Sequence, residues 1–272
     1  MSGKSLILGK GFIASRLKEE LNCELSDQKI YSYADAEAAI AKFNPETIIN
    51  CIGYIGENVD ACESNIDKAL FSNTVVPFIL AELCIRKKIK LVHISSGCIY
   101  HYDYERSTPI KEDRDPDFFE LFYSRTKIYS EQPLNSLAKK YPILILRLRV
   151  PLDNRPHPRN LLTKLLGYNK VIDLPNSVTY IPDFIQATKH LLKINATGIY
   201  NVVNKSPLKY QELMEVYKKH VNGFKYEVVD FAKLNLVRTN LIMSTEKLEL
   251  SGFKIRDIHE VLEECVVEYL KY

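Results

Sequence analysis

Apolar residues along this chain alternate between short, dense runs and longer stretches where they recur every three or four positions. The dense runs are 6–8, 47–52, 91–95 and 143–150, with the length and composition of buried strands. Amphipathic stretches over roughly 11–21, 35–43, 66–87 and 118–139 predict helices between them. Strand and helix alternating in this way is the signature of a parallel sheet covered by helices. The texture changes after Pro151. Pro151, Pro156, Pro158, Pro175, Pro182 and Pro207 break the chain into shorter elements. The pattern therefore predicts an α/β domain over 1–150 and a smaller lobe over 151–272, with some segments of the lobe returning to the first body. A last helical stripe, Ile258, Val261, Leu262, Cys265, Val266 and Leu270, predicts a packed helix over 256–271.

Composition narrows the classes. At 272 residues and 46% hydrophobic, the chain can bury a large core. A formal charge of +3 with acids and bases interspersed gives no basic stripe, so nucleic acid is not an expected partner. The first residues run straight into a four-residue apolar strand, too short for a signal-peptide core or a membrane span. A cytoplasmic protein with no membrane partner is the expectation. Six cysteines, at 23, 51, 62, 84, 98 and 265, form no C-x-x-C pair and have no histidines at metal-ligand spacing, so neither a disulfide nor a metal is expected. Five of them read as packing residues. Cys98 differs, because it falls two residues after Ser96, just where a predicted strand ends.

Gly9-Lys10-Gly11-Phe12-Ile13-Ala14 follows the first strand and opens the first helix. In that context a G-x-G-x-x-A lets backbone amides approach a pyrophosphate at a helix N-terminus, which predicts a dinucleotide site. The second strand region offers Ser26 and Lys29 to a 2′-phosphate and Asp27 to a 2′-hydroxyl. NADPH is the favoured cofactor, with NADH left open. Reduction of a ketone also needs a proton donor, and a tyrosine beside a lysine serves, since the ammonium lowers the phenol pKa. Tyr123 and Lys127 stand four residues apart between the third and fourth dense runs, on one helical face. Ser96 supplies the accompanying hydroxyl.

Ser96, Tyr123 and Lys127 stand in the order and sheet context of the extended short-chain dehydrogenase/reductases, which the chain resembles over essentially its whole length. Asn50-Cys51-Ile52-Gly53 is similar to that family's Asn-x-x-Gly, and residues 59–64 and 73–77 to the helices that follow it in the dTDP-4-dehydrorhamnose reductase branch. Gly97-Cys98-Ile99-Tyr100, 122–127, Pro158-Arg159-Asn160 with Thr163-Lys164, and 168–177 resemble the UDP-4-keto-6-deoxyglucose 3,5-epimerase/4-reductases, also called UDP-L-rhamnose synthases. In the glycine loop the chain departs from them, being one residue shorter and ending in Ala14.

The resemblance implies an α/β fold: a Rossmann-type doubly wound parallel sheet with a smaller C-terminal α/β substrate lobe. It implies cofactor contacts from Gly9, Lys10, Gly11, Phe12, Ile13, Ser26, Asn50, Gly53, Asn73, Tyr123 and Lys127. It implies Ser96, Tyr123 and Lys127 as the reducing set, with Cys98 as base and Lys164 as opposing acid for inversion at C3 and C5, whose protons the C4 ketone acidifies. Tyr100, Asn160, Arg238 and Asn240 are the implied substrate contacts. The substrate would be a nucleotide sugar supplied by a separate 4,6-dehydratase, since 272 residues hold one such unit; a homodimer is left open. Two alternatives stand beside this reading. A plain 4-reductase has no need of Cys98 and Lys164, and a nucleotide-binding regulatory subunit would keep the fold without the chemistry.

Overall fold

A computed structural model describes residues 4–168 and 170–272; Asn169, within the motif over 168–177, lies outside them. In chain order the strands are β1 (Ser5–Leu8), β2 (Glu24–Ser26), β3 (Thr47–Asn50), β4 (Lys90–Ser96), β5 (Ile143–Leu148), β6 (Pro151–Leu152), β7 (Lys170–Ile172), β8 (Thr179–Tyr180), β9 (Gly198–Asn201) and β10 (Glu227–Val229). The helices are α1 (Phe12–Glu20), α2 (Tyr33–Phe43), α3 (Ile66–Leu70), α4 (Val76–Lys87), α5 (Phe122–Ala138), α6 (Leu161–Tyr168), α7 (Ile181–Lys193), α8 (Tyr210–His220), α9 (Glu246–Leu250) and α10 (Ile258–Tyr269). They divide between two units. The first comprises Met1–Ile99, Asp115–Arg147 and Thr188–Tyr200; the second comprises Tyr100–Arg114, Leu148–Ala187 and Asn201–Tyr272.

The first unit is built on a six-stranded sheet in the order β2-β1-β3-β4-β5-β9. β1 pairs in parallel with both β2 and β3, and β3 in parallel with β4. The chain leaves β1 towards β2 and then returns to the other side at β3, so a topological switch point falls between β1 and β3. Ligands of open α/β sheets bind outside the carboxyl ends of the strands at such a point. Leu8, Ser26 and Asn50 are aligned there by register. Behind them, Leu6, Leu8, Ile48, Leu80, Leu83, Leu91 and Ile145 belong to one buried apolar cluster. That burial is the main driving force holding the strand ends in place.

Where element boundaries differ from the apolar pattern, a specific hydrogen bond explains the difference. β3 stops at Asn50, two residues short of the apolar run, because Asn50 Oδ1 accepts the Ile52 N–H at 3.0 Å and turns the chain. The helix expected from 118 begins at Phe122. The backbone N–H groups of Asp117 and Phe118 both donate to the Ile99 carbonyl at 3.1 Å, which holds this segment extended, and Glu63 Oε1 accepts the Phe122 N–H at 2.6 Å to cap the helix. The helix over 66–87 is continuous but passes through a π-helical turn, Phe71–Val75, between α3 and α4. It is long and apolar enough to cross a membrane by length and composition. Its apolar residues Val76, Ile79, Leu80 and Leu83 instead belong to the buried cluster of the first unit.

The second unit has its own core, in which Leu162, Leu165 and Val171 pack with Leu213, Met214, Val261, Leu262 and Cys265. Two short parallel pairs, β6 with β8 and β7 with β10, complete it. The sixth strand of the first sheet, β9, comes from residues 198–201, where the apolar pattern marks no strand. The four residues GIYN carry too short a signal to register, and their place beside β5 is a tertiary decision.

Gly9 sits at the switch point with φ +102°, and a Cβ there would stand 3.1 Å from the Cys51 carbonyl carbon. Gly9→Ala is expected to lower stability by roughly 1–3 kcal/mol through backbone strain alone, a loss that urea unfolding of the ligand-free protein would show.

Candidate active site

Four chain segments bring candidate residues to the carboxyl edge of the first unit's sheet. The first is the glycine loop. Gly9 N–H donates to the Ser26 carbonyl at 3.1 Å, tying the loop to the end of β2. Gly11 stands at the start of α1 with no side chain capping the helix, and a Cβ on Gly11 would meet nothing within 4 Å. Open space at an uncapped helix N-terminus suits an anion. Phe12 is buried beneath it and Ile13 half-buried. Lys10 is exposed and lies 3.9 Å from Asp27, while the Ser26 hydroxyl accepts the Gln28 N–H at 3.2 Å and shapes the turn after β2.

The second segment follows β3. Asn50 is fully buried, with its Nδ2 3.2 Å from Nδ1 of His93 on β4. Gly53 is close to what lies beneath it: a Cβ at that position would stand 3.2 Å from Asn73 Oδ1 and 3.7 Å from Lys127 Nζ. Asn73 stands in the π-helical turn and is buried. Its Nδ2 donates to the Tyr54 carbonyl at 2.9 Å and to Thr126 Oγ1 at 3.0 Å, and its Oδ1 accepts the Tyr54 N–H at 2.7 Å. Both amide hydrogens are engaged, so Asn73 ties the loop after β3 to α5 and offers no donor to a cofactor.

The third segment ends β4, where the Ser96 and Cys98 spacing acquires a structural meaning. Ser96 Oγ accepts the Cys98 N–H at 3.2 Å, and the Cys98 carbonyl accepts the Ser124 hydroxyl at 2.5 Å from α5. The hydroxyl turns the chain, and the helix then fixes the half-buried cysteine. Burial pushes the thiols of Cys23, Cys51, Cys62, Cys84 and Cys265 up, Cys51 and Cys84 to about 12 and Cys62 to about 11. None of those five is a thiolate at neutral pH. The same burial acts on His93, whose pKa is lowered by desolvation and by the Lys127 charge.

The fourth segment is α5. Tyr123 is half-buried one turn before Lys127, which is only 5% exposed. Lys127 Nζ donates to the Ile94 carbonyl at 3.3 Å. Desolvation pulls its ammonium down to about 8, opposed by Glu131, Cys51, Cys98 and Cys62. The first unit thus gathers Gly9, Gly11, Ser26, Asn50, Gly53, Ser96, Cys98, Tyr123 and Lys127 at one sheet edge. An uncapped helix start, a hydroxyl at a strand end and a tyrosine one turn before a buried lysine are groups of the kind that can hold a dinucleotide and protonate an alkoxide.

A sequence profile of the RmlD substrate binding domain matches residues 3–173. The chain belongs to that family. It is 31% identical over 282 aligned residues to a trifunctional UDP-glucose 4,6-dehydratase/UDP-4-keto-6-deoxy-D-glucose 3,5-epimerase/UDP-4-keto-L-rhamnose-reductase of Arabidopsis thaliana. That match takes in 97% of this chain but 42% of the relative, so the chain spans less than half of that protein. The crystal structure of the L780 UDP-rhamnose synthase from Acanthamoeba polyphaga mimivirus shares the fold with a TM-score of 0.89 at 23% identity, over 98% of this chain and 99% of that one. A Bacillus anthracis dTDP-4-dehydrorhamnose reductase in complex with NADP shares it with a TM-score of 0.84 at 22% identity, over 98% and 100%.

The family's remaining candidate residues fall in the second unit. Lys164 is half-buried on the first turn of α6. Arg238 is half-buried and donates to the Val237 carbonyl at 2.7 Å. Asn240 Oδ1 accepts Asn176 Nδ2 at 3.0 Å, while its own buried Nδ2 has no hydrogen-bond partner among the described residues. Tyr100 is fully buried, its hydroxyl donating to the Arg114 carbonyl at 3.1 Å with the Arg114 guanidinium 5.5 Å from its ring. Asn160 is fully buried too. Its Nδ2 donates to the Asp153 and Arg155 carbonyls at 2.8 Å, and its Oδ1 accepts the N–H groups of Asp153 at 3.0 Å and Leu162 at 3.2 Å. With all four bonds made, Asn160 has nothing left for a substrate.

Asn160→Ala is expected to cost on the order of 3 kcal/mol, because the buried Asp153 and Leu162 N–H groups lose their acceptor. Urea unfolding checks the loss, which would appear with no substrate present.

Proposed function

We propose that this protein is an NAD(P)H-dependent reductase of a nucleotide-linked 4-keto-6-deoxy sugar that also epimerises the sugar at C3 and C5, forming UDP-L-rhamnose from UDP-4-keto-6-deoxy-D-glucose. The observation that carries the reductase reading is the gathering of Ser96, Tyr123 and buried Lys127 at the sheet edge that holds the open Gly11 turn. The dinucleotide fits that edge. Gly9 and Gly11 would admit its pyrophosphate, and Gly53 leaves room above Lys127. NADPH is the favoured form, because an NADP complex of the same fold matches nearly the whole chain and Ser26 stands at the end of β2.

When bound, the nicotinamide supplies hydride to C4. Tyr123 donates the proton that the C4 oxygen takes up, and the charge on Lys127 lowers the phenol pKa enough to do so near neutrality. Ser96 holds the same oxygen while it carries negative charge. Epimerisation draws on the second role of that contact. With the C4 oxygen stabilised, a base can remove the protons at C3 and C5, and Cys98, just past the end of β4, is the candidate that the family resemblance assigns, while burial pushes the other five thiols up. Lys164 is the acid that the family resemblance assigns.

The relatives support this reading in different measure. The plant protein carries both epimerase and reductase activities, and the mimiviral synthase matches this chain at nearly full length on both sides. In this reading a separate 4,6-dehydratase makes the keto sugar, and both act in the cytoplasm. The plain 4-reductase is the competing reading, favoured by the fold shared with the bacterial reductase.

Incubation with UDP-4-keto-6-deoxyglucose and NADPH, with the sugar product identified by NMR, tests the proposal; no turnover of any 4-keto sugar would sink it. Tyr123→Phe is expected to slow reduction by about 10²–10⁴-fold while the fold persists, and a wild-type rate would remove Tyr123 from the mechanism. Cys98→Ala separates the two readings. In D2O without NADPH it should stop deuterium entering C3 and C5, yet reduce pre-epimerised keto sugar at a rate near that of the unaltered protein. Deuterium exchange at the unaltered rate would leave the plain reductase as the better account.

A further inference from the structure

β5 reads Ile-Leu-Ile-Leu-Arg-Leu and is buried along its whole length. An arginine inside such a strand needs a partner. Arg147, 1% exposed, finds it on α5: its Nε and a terminal nitrogen donate to Glu131 Oε1 at 3.0 and 2.6 Å. The second carboxylate oxygen is held from β4, where Ser95 Oγ donates to Glu131 Oε2 at 2.6 Å. Both oxygens are therefore pinned, one by each neighbouring strand.

The pinned carboxylate has a definite place on its helix. Tyr123, Lys127 and Glu131 are spaced four and four residues apart, so they share one face of α5. Besides Tyr123 and Glu131 on its own helix, the titratable groups that act on the Lys127 ammonium come from neighbouring elements. Cys51 stands after β3, Cys62 on the short turn before α3, Cys98 after β4 and His93 within β4. Burial keeps Cys51 and Cys62 protonated and His93 neutral. Glu131 is the carboxylate among these groups, and Arg147 is the cation paired with it.

We propose that Glu131, clamped by Arg147 and Ser95, is a positioning residue that supplies the buried counter-charge of Lys127 and so keeps that lysine an ammonium at neutral pH. An ammonium taken out of water loses its hydration, and desolvation alone would neutralise it. Glu131 leads the groups that oppose this. The strands fix its carboxylate so that the compensation does not depend on a flexible side chain. The arrangement explains why an ion pair is buried between β5 and α5, where apolar residues of the same volume would pack as well.

The proposal rests on reading Lys127 as the lysine beside the proton-donating tyrosine, but its test can be read without turnover. In the full chain, the Lys127 side chain is titrated by NMR, with its signal assigned by its loss in Lys127→Met. Glu131→Gln should move the midpoint down by roughly one pH unit, as expected for loss of a nearby opposite charge. The alkaline limb of the kcat profile for keto-sugar reduction should move the same way. A purely structural pair would lower thermal stability and the rate at every pH, with the limb left in place. Because Glu131→Gln strands Arg147, the double variant Glu131→Gln/Arg147→Met serves if the single one does not fold; it should shift in the same direction by less. A Lys127 midpoint unmoved in whichever variant folds overturns the proposal. Should the unaltered protein reduce no keto sugar, the proposed function fails while the titration still decides the role of Glu131.

Discussion

A lysine of α5 buried against β4 is the constraint that organises the first unit. Lys127 is 5% exposed, and the hydrogen bond from its Nζ to the Ile94 carbonyl replaces only part of the lost water. Its neighbours must therefore be small, polar or opposite in charge. Gly53 is small enough to lie above it. Asn73, Thr74 and Thr126 bind one another across the π-helical turn and α5, with Thr74 Oγ1 donating to the Thr126 carbonyl at 2.9 Å. A helix tied down by fully satisfied polar bonds cannot slide by a fraction of a turn without breaking them, which fixes where its side chains point.

Several buried amides do similar work elsewhere. Asn50 ends β3 and meets His93, Asn73 ties a loop to α5, and Asn160 joins residues 153–155 to the start of α6. Each lies beside residues with proposed ligand roles while its own hydrogen-bonding groups face the protein. Motif asparagines are easily read as contacts, yet in such a place holding a loop in shape is a task that an asparagine performs well, having two donors and an acceptor on one short side chain. A residue with an open environment makes a better binding candidate: Gly11, whose Cβ would meet nothing.

The elements of the first half were legible because their signals are local. Dense apolar runs became β1, β3, β4 and β5, and the 3.6-residue stripes became α1, α2, the helix over 66–87, α5 and, at the far end, α10. The Gly9 turn was equally readable, since a positive φ at the close of a first strand demands glycine wherever the rest of the chain goes. Tyr123 and Lys127 were legible as a pair through helical spacing alone.

Tertiary structure decided what depends on partners distant in sequence. No pattern near 198–201 foretells β9, because only the free edge of β5 makes those four residues a strand. Glu63 has the look of a carboxylate at its own helix start, but its oxygen caps α5, 59 residues further on. Tyr100 is buried, with its hydroxyl on the Arg114 carbonyl, a contact that no local spacing encodes. The Glu131–Arg147 pair left only an oddity in the sequence, a charge inside a strand, and its meaning came from β4 and β5 lying on either side of the carboxylate. Periodicity and glycine placement act through the chain's own backbone geometry, so the sequence determines them. Burial, desolvation and the satisfaction of polar groups depend on what surrounds a side chain, and only the folded arrangement of strands and helices settles that.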